Sequence, residues 1–274
     1  MSGVYLTFLG LSSGPPPPIV LKKGIFAFGR NSSTVYSMSN RVSNVGVVET
    51  NTDGVGTARA GLAAASFGGD RAIFAFGFTA FTFSSNTNLS SPTLNVSTSN
   101  LVSNVGVVAT NTINEVGTAR AGLAAASFGG DRAIFAFGHN ASVLSMSNLV
   151  SNTGVVGIDV KAVTGTELKK GLAACSYGGD KAIFAYGSTS NAYKFSYYLV
   201  SNIGGVAVNR TGAGTPRASL AASAYGDGQG IFAFGYDNFY LATSNLVSNV
   251  GAVATNTINA VGTIRSELAA ASYG

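Results

Sequence analysis

Short apolar runs closed by glycine recur along this chain, separated by long stretches rich in Ser, Thr and Asn. The phrase IFAFG, IFAYG in one copy, begins at Ile25, Ile73, Ile134, Ile183 and Ile231. LAAAS-like phrases begin at Leu62, Leu123, Leu172, Leu220 and Leu268, and LVSNVG-like phrases at Arg41, Leu101, Leu149, Leu199 and Leu246. Successive isoleucines lie 48, 61, 49 and 48 residues apart, so one unit is written five times and one copy is longer. The longer copy carries FTAFTFSSNTNLSSPTLNVST, which reads as an elongated surface loop or hairpin.

Each unit reads as β structure. AIFAFG is a short run of aromatic and β-branched residues bounded by glycine. The glycine pairs beginning at Gly68, Gly129 and Gly178 supply a turn in which a positive φ costs little. GLAAASFG is rich in helix formers, yet it is too short for a helix and glycine brackets it on both sides. Its small side chains suit strands crowded about an axis. With STSNLVSNVGVVATNT adding alternating sequence, each unit predicts about four strands, the spacing of a propeller blade. Runs apolar on both faces suit sheets covered on both sides.

The predicted fold is therefore all-β, a five-bladed β-propeller over residues 21–274. The last copy breaks off as ELAAASYG at Gly274, while LKKGIFAFG stands near the amino terminus without a preceding LAAAS. Pairing of a strand at about 22–29 with one at about 267–274 completes the fifth blade and closes the ring. A solenoid is the rival architecture, and it would call for distinct caps where these ends look complementary.

The unit GTARAGLAAASFGGDRAIFAFGHNASVLSMSNLVSNTGVV resembles a kelch repeat: a basic residue, a small-residue strand, a glycine turn, a strand ending in glycine and a further strand fall in kelch order. The resemblance covers about residues 22–274. It departs from the pattern in carrying its glycine pair at the hairpin turn and in lacking tryptophan. It implies the propeller fold and leaves function open, since propellers serve as enzymes, adhesins and scaffolds. This variant, rich in Gly, Ala, Ser and Asn, also looks like repeats in tail-fibre and other structural proteins of bacteriophages. That likeness implies a noncatalytic structural or adhesion protein of a virion, in the tail fibre, another tail part or the capsid surface. Its partners would be other virion proteins, a host-surface glycan, or both.

Composition narrows the field. Charged residues are 10% of the chain, against roughly 25% in an ordinary soluble domain, so the surface is neutral and rich in hydroxyls and amides. The net charge of +5 is spread without a basic run, which disfavours nucleic acid. The leading MSGVYLTFLGLSSGPPPPIV lacks the positive region of a signal peptide, and no stretch is apolar enough to insert in a membrane. A virion component made in the host cytoplasm and released by lysis fits both observations. Residues 1–20 read as an arm outside the propeller, with Pro15–Pro18 a stiff spacer and GVYLTFLGL a tether to another subunit or a cover for its own domain.

Candidate chemistry is sparse. The single Cys175 occupies a position that is Ala in three other copies, and the single His139 lies in a loop; with one of each, neither zinc nor a catalytic histidine network is expected, and no cofactor. One basic residue precedes each LAAAS-like strand: Arg59, Arg120, Lys169, Arg217 and Arg265. Ring symmetry makes them either a cationic binding ring at a channel mouth or stems packed on the next blade with heads on backbone carbonyls. Tyr193, Tyr197, Tyr198, Tyr236, Phe239 and Tyr240 fall in or beside segments that differ between copies, where a symmetric scaffold is customised for sugar or protein contact, or else face the next blade. Two alternatives to the structural reading stay open: a carbohydrate-binding lectin, and a glycosidase using two of Glu49, Asp53, Glu115, Asp159, Glu167, Asp237 and Glu267.

Overall fold

A computed structural model describes residues 23–31, 33–43, 45–83, 90–112, 116–162, 167–257, 262–268 and 270, with backbone alone at 81–83 and 90–93. The described residues are all-β and contain no helix. In chain order the strands are β1 (Gly24–Ala27), β2 (Ser39–Val42), β3 (Ala63–Phe67), β4 (Arg71–Ala75), β5 (Phe78–Phe83), β6 (Ser90–Asn95), β7 (Ser99–Val102), β8 (Ala124–Phe128), β9 (Arg132–Ala136), β10 (Met146–Val150), β11 (Val160–Lys161), β12 (Ala173–Tyr177), β13 (Lys181–Ala185), β14 (Tyr197–Val200), β15 (Ala221–Tyr225), β16 (Gln229–Tyr236) and β17 (Tyr240–Val247). They form small antiparallel sheets, one per sequence unit: β1-β2, β3-β4-β7, β8-β9-β10-β11, β12-β13-β14 and β15-β16-β17. The inserted segment makes its own hairpin, β5-β6.

Four of the LAAAS-like phrases, from Leu62, Leu123, Leu172 and Leu220, supply the strands β3, β8, β12 and β15, and the first three turn into their IFAFG partners through the expected glycines. At the first such turn Gly68 has φ +61° and Gly69 φ +82°. Side chains with a Cβ rarely adopt those angles. The register then places Ala65 opposite Ile73 and Phe67 opposite Arg71.

Among the described residues the fourth strand expected of each unit is reduced to isolated bridges in all units but the third, which keeps β11; examples are Val102↔Val108 and Val247↔Val253. An asparagine on the third strand replaces the missing ladder. Asn100 Nδ2 donates to Ala109 O at 3.0 Å, Asn148 Nδ2 to Gly157 O at 2.9 Å and Asn245 Nδ2 to Ala254 O at 3.0 Å. The returning segment is thus held by a side chain at every unit where this asparagine occurs.

Consecutive sheets lie face to face, and the core fills the space between them. One cluster joins Ala126, Phe128, Ile134 and Phe137 to Leu172, Phe184 and Val200 of the following unit. The first strands approach so closely that backbones bond directly: Gly122 N donates to Gly61 O, Gly171 N to Gly122 O, Ser219 N to Gly171 O and Glu267 N to Ser219 O, all at 2.8–2.9 Å. Larger residues than Ala, Gly and Ser would hold these strands apart, which accounts for the composition of LAAAS.

The arm at 1–20 lies outside the described residues, as does most of the pairing expected between 22–29 and 267–274. Among the described residues β1 pairs with β2.

Candidate functional site

The recurring basic residues sit at the junctions between units. Arg59, Arg120, Lys169 and Arg217 are fully buried, and Arg265 is exposed. Each arginine stacks on the aromatic that ends the preceding IFAFG phrase: Arg59 on Phe28 at 4.1 Å, Arg120 on Phe76 at 4.0 Å, Arg217 on Tyr186 at 4.1 Å and Arg265 on Phe234 at 3.8 Å. At every junction the glycine after that aromatic donates its N–H to the basic residue's carbonyl, as from Gly77 to Arg120 at 2.9 Å and from Gly235 to Arg265 at 2.9 Å.

The buried guanidinium heads are consumed internally. Arg120 donates through Nε to Phe137 O at 2.9 Å, through Nη1 to Thr118 O at 3.1 Å and through Nη2 to Asn148 Oδ1 at 2.7 Å. Arg217 repeats the set on Phe234 O, Thr215 O and Asn245 Oδ1. Arg59 bonds Phe76 O, Thr57 O and Phe74 O. Burial lowers Arg59 and Arg120 to about 10, and Arg217 in the same direction, so all three remain charged at neutral pH. These four buried residues clamp one sheet to the next and present no charged atom to solvent.

Lys169 departs from the row. Its Nζ donates to Ser196 O at 2.7 Å and Ser196 Oγ at 2.6 Å, and lies 4.0 Å from Glu167. Tyr198 takes the place that Asn148 and Asn245 hold elsewhere, and its hydroxyl donates to Glu167 O at 2.6 Å. Burial lowers Lys169 to about 7 against the opposing pull of Glu167.

The six aromatics divide. Tyr197 and Tyr198 lie on β14 and are buried in the core between units. Tyr193, Tyr236 and Tyr240 form a surface chain of rings, Tyr193–Tyr236 at 6.1 Å and Tyr236–Tyr240 at 5.4 Å, with Phe239 beside it 77% exposed. Tyr193 also lines a cleft of about 740 Å³ between the loop 188–193 after β13 and the loop 237–239 joining β16 to β17. Lys170, Pro216, Asp237 and Asn238 complete its wall.

Both loops are fixed by their own hydrogen bonds. Thr189 Oγ1 accepts from the amides of Asn191 and Ala192, and Thr189 N donates to Ala192 O at 2.9 Å. Across the cleft Asp237 N donates to Phe239 O and Asp237 Oδ1 accepts from Phe239 N, with Asn238 at φ +100°. The tip is held in a conformation that non-glycine residues seldom take.

Asp237 is one of the acids considered for glycoside chemistry, whereas Lys170, Pro216 and Asn238 are not among the residues singled out in the sequence. A signal was there for one of them: the position of Lys170 is alanine at Ala60, Ala121 and Ala218.

Several of the acids considered for glycoside chemistry, Asp159, Glu167 and Glu49 among them, are engaged in structure. Burial acts to raise Asp159, but hydrogen bonds from Thr118 and Asn148 and the Arg120 charge outweigh it, and its pKa falls below the usual range. Glu167 is likewise raised by burial and lowered further by Ser196, Lys169 and Asn209, with a net fall. Glu49 pairs with Arg41 at 2.8 Å. Asp159 and Glu167, whose carboxyls are lowered in this way, are poor proton donors. Glu115 lies outside the described residues. Among the described residues no three His, Cys, Asp or Glu side chains gather as a metal site, and no helix is long and apolar enough to cross a membrane.

No protein-family model matches the chain, and no curated protein matches it.

Proposed function

We propose that the chain is a five-bladed, kelch-like propeller serving as a noncatalytic structural or adhesion protein of a bacteriophage virion. The observation that carries this reading is the division of labour among its polar groups. Four of the five repeated basic residues are turned inward as clamps between units, while the junction between the fourth and fifth units is customised into an open cleft. A scaffold of matched parts with one altered junction suits attachment better than catalysis.

Ring closure is supported at the fifth junction. Arg265 repeats there the ring stacking of Arg59, Arg120 and Arg217 and the glycine hydrogen bond of all four other junctions, so the chain is taking another step of the same kind where the first LAAAS partner is needed. In this reading 267–274 pairs with 22–29, and the arm at 1–20 joins the propeller to other virion proteins. A lectin with one sugar site per blade is the weaker reading, because Lys170 and Tyr236 are not repeated in the other units.

Size-exclusion chromatography with light scattering on the full chain and on a chain starting at Ile19 tests the assembly role. Assembly of the full chain alongside a folded, monomeric truncation is the expected result. Identical monomers would remove the arm as an assembly device.

A further inference from the structure

We infer that the cleft between the loops 188–193 and 237–239 is a binding site for an uncharged saccharide, a neutral hexopyranose unit of a larger glycan. The inference rests on the adhesion reading and names the ligand class that its customised junction takes.

The volume comes first. About 740 Å³ falls within the roughly 300–1,000 Å³ typical of ligand sites. The wall is built from hydroxyls (Ser188, Thr189, Ser190), amides (Asn191, Asn238) and one carboxylate, Asp237. Such groups match a ring bearing several hydroxyls, each of which both donates and accepts. A carboxylate accepting from two neighbouring hydroxyls makes the stronger, charge-assisted bonds of the set.

Tyr193 adds an amphipathic face, and Tyr236 braces it edge-on at 6.1 Å with the rings at 80°. Burial, the Tyr236 hydroxyl and the Asp237 charge raise the Tyr193 phenol above its ordinary value, so it keeps its proton at neutral pH and can donate as well as accept.

Charge excludes the competing classes. One lysine and one aspartate leave the wall with no net charge, unlike the clustered cations that phosphate or sulfate ligands require. An apolar peptide anchor would meet few apolar side chains beyond Tyr193, Pro216 and Ala192. The loops are already locked by the Thr189 and Asp237 hydrogen bonds, so little ordering cost opposes binding by a small, weakly interacting ligand.

The test uses the full chain. Saturation-transfer NMR with methyl β-glucopyranoside, methyl β-galactopyranoside and N-acetylglucosamine is run beside an array of neutral, sialylated and sulfated glycans. The expected result is binding of at least one neutral glycan, weakened about tenfold or more by Tyr193→Ala and by Asp237→Asn. Lys170→Ala, which writes in the residue of Ala60, Ala121 and Ala218, removes the one cation of the wall and so reads whether charge takes part in binding. Thermal melts of all three variants check that the fold is kept. Binding confined to sialylated or sulfated glycans, and lost with Lys170→Ala, overturns the neutral assignment. Neutral binding unmoved by both Tyr193→Ala and Asp237→Asn overturns the cleft. No glycan binding by a chain that still assembles through its arm overturns the saccharide and leaves the structural reading standing.

Discussion

Replacing Lys169 by arginine together with Tyr198→Asn would write the clamp of Arg120 and Arg217 into the junction that carries a lysine. The double variant recreates the Arg120–Asn148 and Arg217–Asn245 pairs, which span 2.7 and 2.8 Å. In the natural chain burial brings the Lys169 ammonium to about 7, whereas in an unfolded chain it titrates near its ordinary value of about 10.4. Between those two values the unfolded state holds one proton more at this site than the folded state. Stability therefore rises with pH across the window, by up to about 1.4 kcal/mol per unit. Below about pH 7 both states are protonated and the full burial penalty weighs on the fold; above about 10.5 both are neutral and it is gone. The total across the window is on the order of 4 kcal/mol.

Urea denaturation at pH 7, 8 and 9 measures the slope directly. His139, lowered by burial and by the Lys170 charge, titrates below this range, and Arg59 and Arg120 titrate above it. The natural clamp and the double variant are compared in a Cys175→Ala background, because the buried thiol, raised to about 12, would ionise at about 8.5 only on unfolding and lower stability as pH rises. The natural chain should gain stability from pH 7 to 9, while Lys169→Arg/Tyr198→Asn should be flat. The single variants should each lose stability. Lys169→Arg crowds its longer head against Tyr198, at about 1–3 kcal/mol, and Tyr198→Asn leaves a void costing about 3 kcal/mol. The double variant should be better than their sum by at least about 1 kcal/mol. A flat profile in the natural chain, or additive single effects, refutes the reasoning.

Arg120→Met removes the donors to Phe137 O, Thr118 O and Asn148 Oδ1 and leaves Asp159 without its cation, so urea denaturation should show a loss of about 3–5 kcal/mol; a loss below about 1 kcal/mol would argue that the clamp is not structural. A Cβ on Gly230 would meet Cys175 Sγ at 2.7 Å, so Gly230→Ala should cost about 1–3 kcal/mol alone and clearly less in a Cys175→Ala background, read from a double-mutant cycle. Burial raises the Cys175 thiol to about 12, so a disulfide reagent at pH 8 should label it only on unfolding; rapid labelling of the native chain would contradict its burial.

Much of the scaffold was legible because repetition and turn chemistry are local. Glycine pairs marked the hairpins, and the bracketed LAAAS phrases could form only short strands. The recurring basic residue was equally visible, but its direction was not. That direction depends on Phe28, Phe76, Phe137, Tyr186 and Phe234, all of which adopt φ between +63° and +66°. No sequence rule assigns a left-handed backbone to an aromatic, which costs about 1–2 kcal/mol per residue. Tyr197 and Tyr198 were grouped with the loop aromatics because SNAYKFSYY looks continuous, whereas the strand β14 begins inside it and turns both inward.

The left-handed aromatic also explains why the clamp repeats as a unit. Its bend aims the Phe137 carbonyl at Arg120 Nε of its own unit, and the adjoining glycine N–H at the Lys169 carbonyl of the next. The same bend at Phe76 lays its ring beneath Arg120, the arginine one unit on. One strained residue thus serves two junctions, and the hydrogen bonds and cation–π contacts it permits offset the strain. At Lys169 the basic residue changes while the left-handed Phe137 and Tyr186 stay, and the paired change falls on the asparagine position: the Tyr198 ring lies 4.9 Å from Lys169 Nζ and 4.7 Å from the Phe137 ring, with Ser196 accepting from the ammonium. The junction altered in this way borders the altered loop 188–193 through the backbone pair Lys170–Ser188. Clamp and cleft therefore depart from the repeat side by side, on the two faces of the fourth unit.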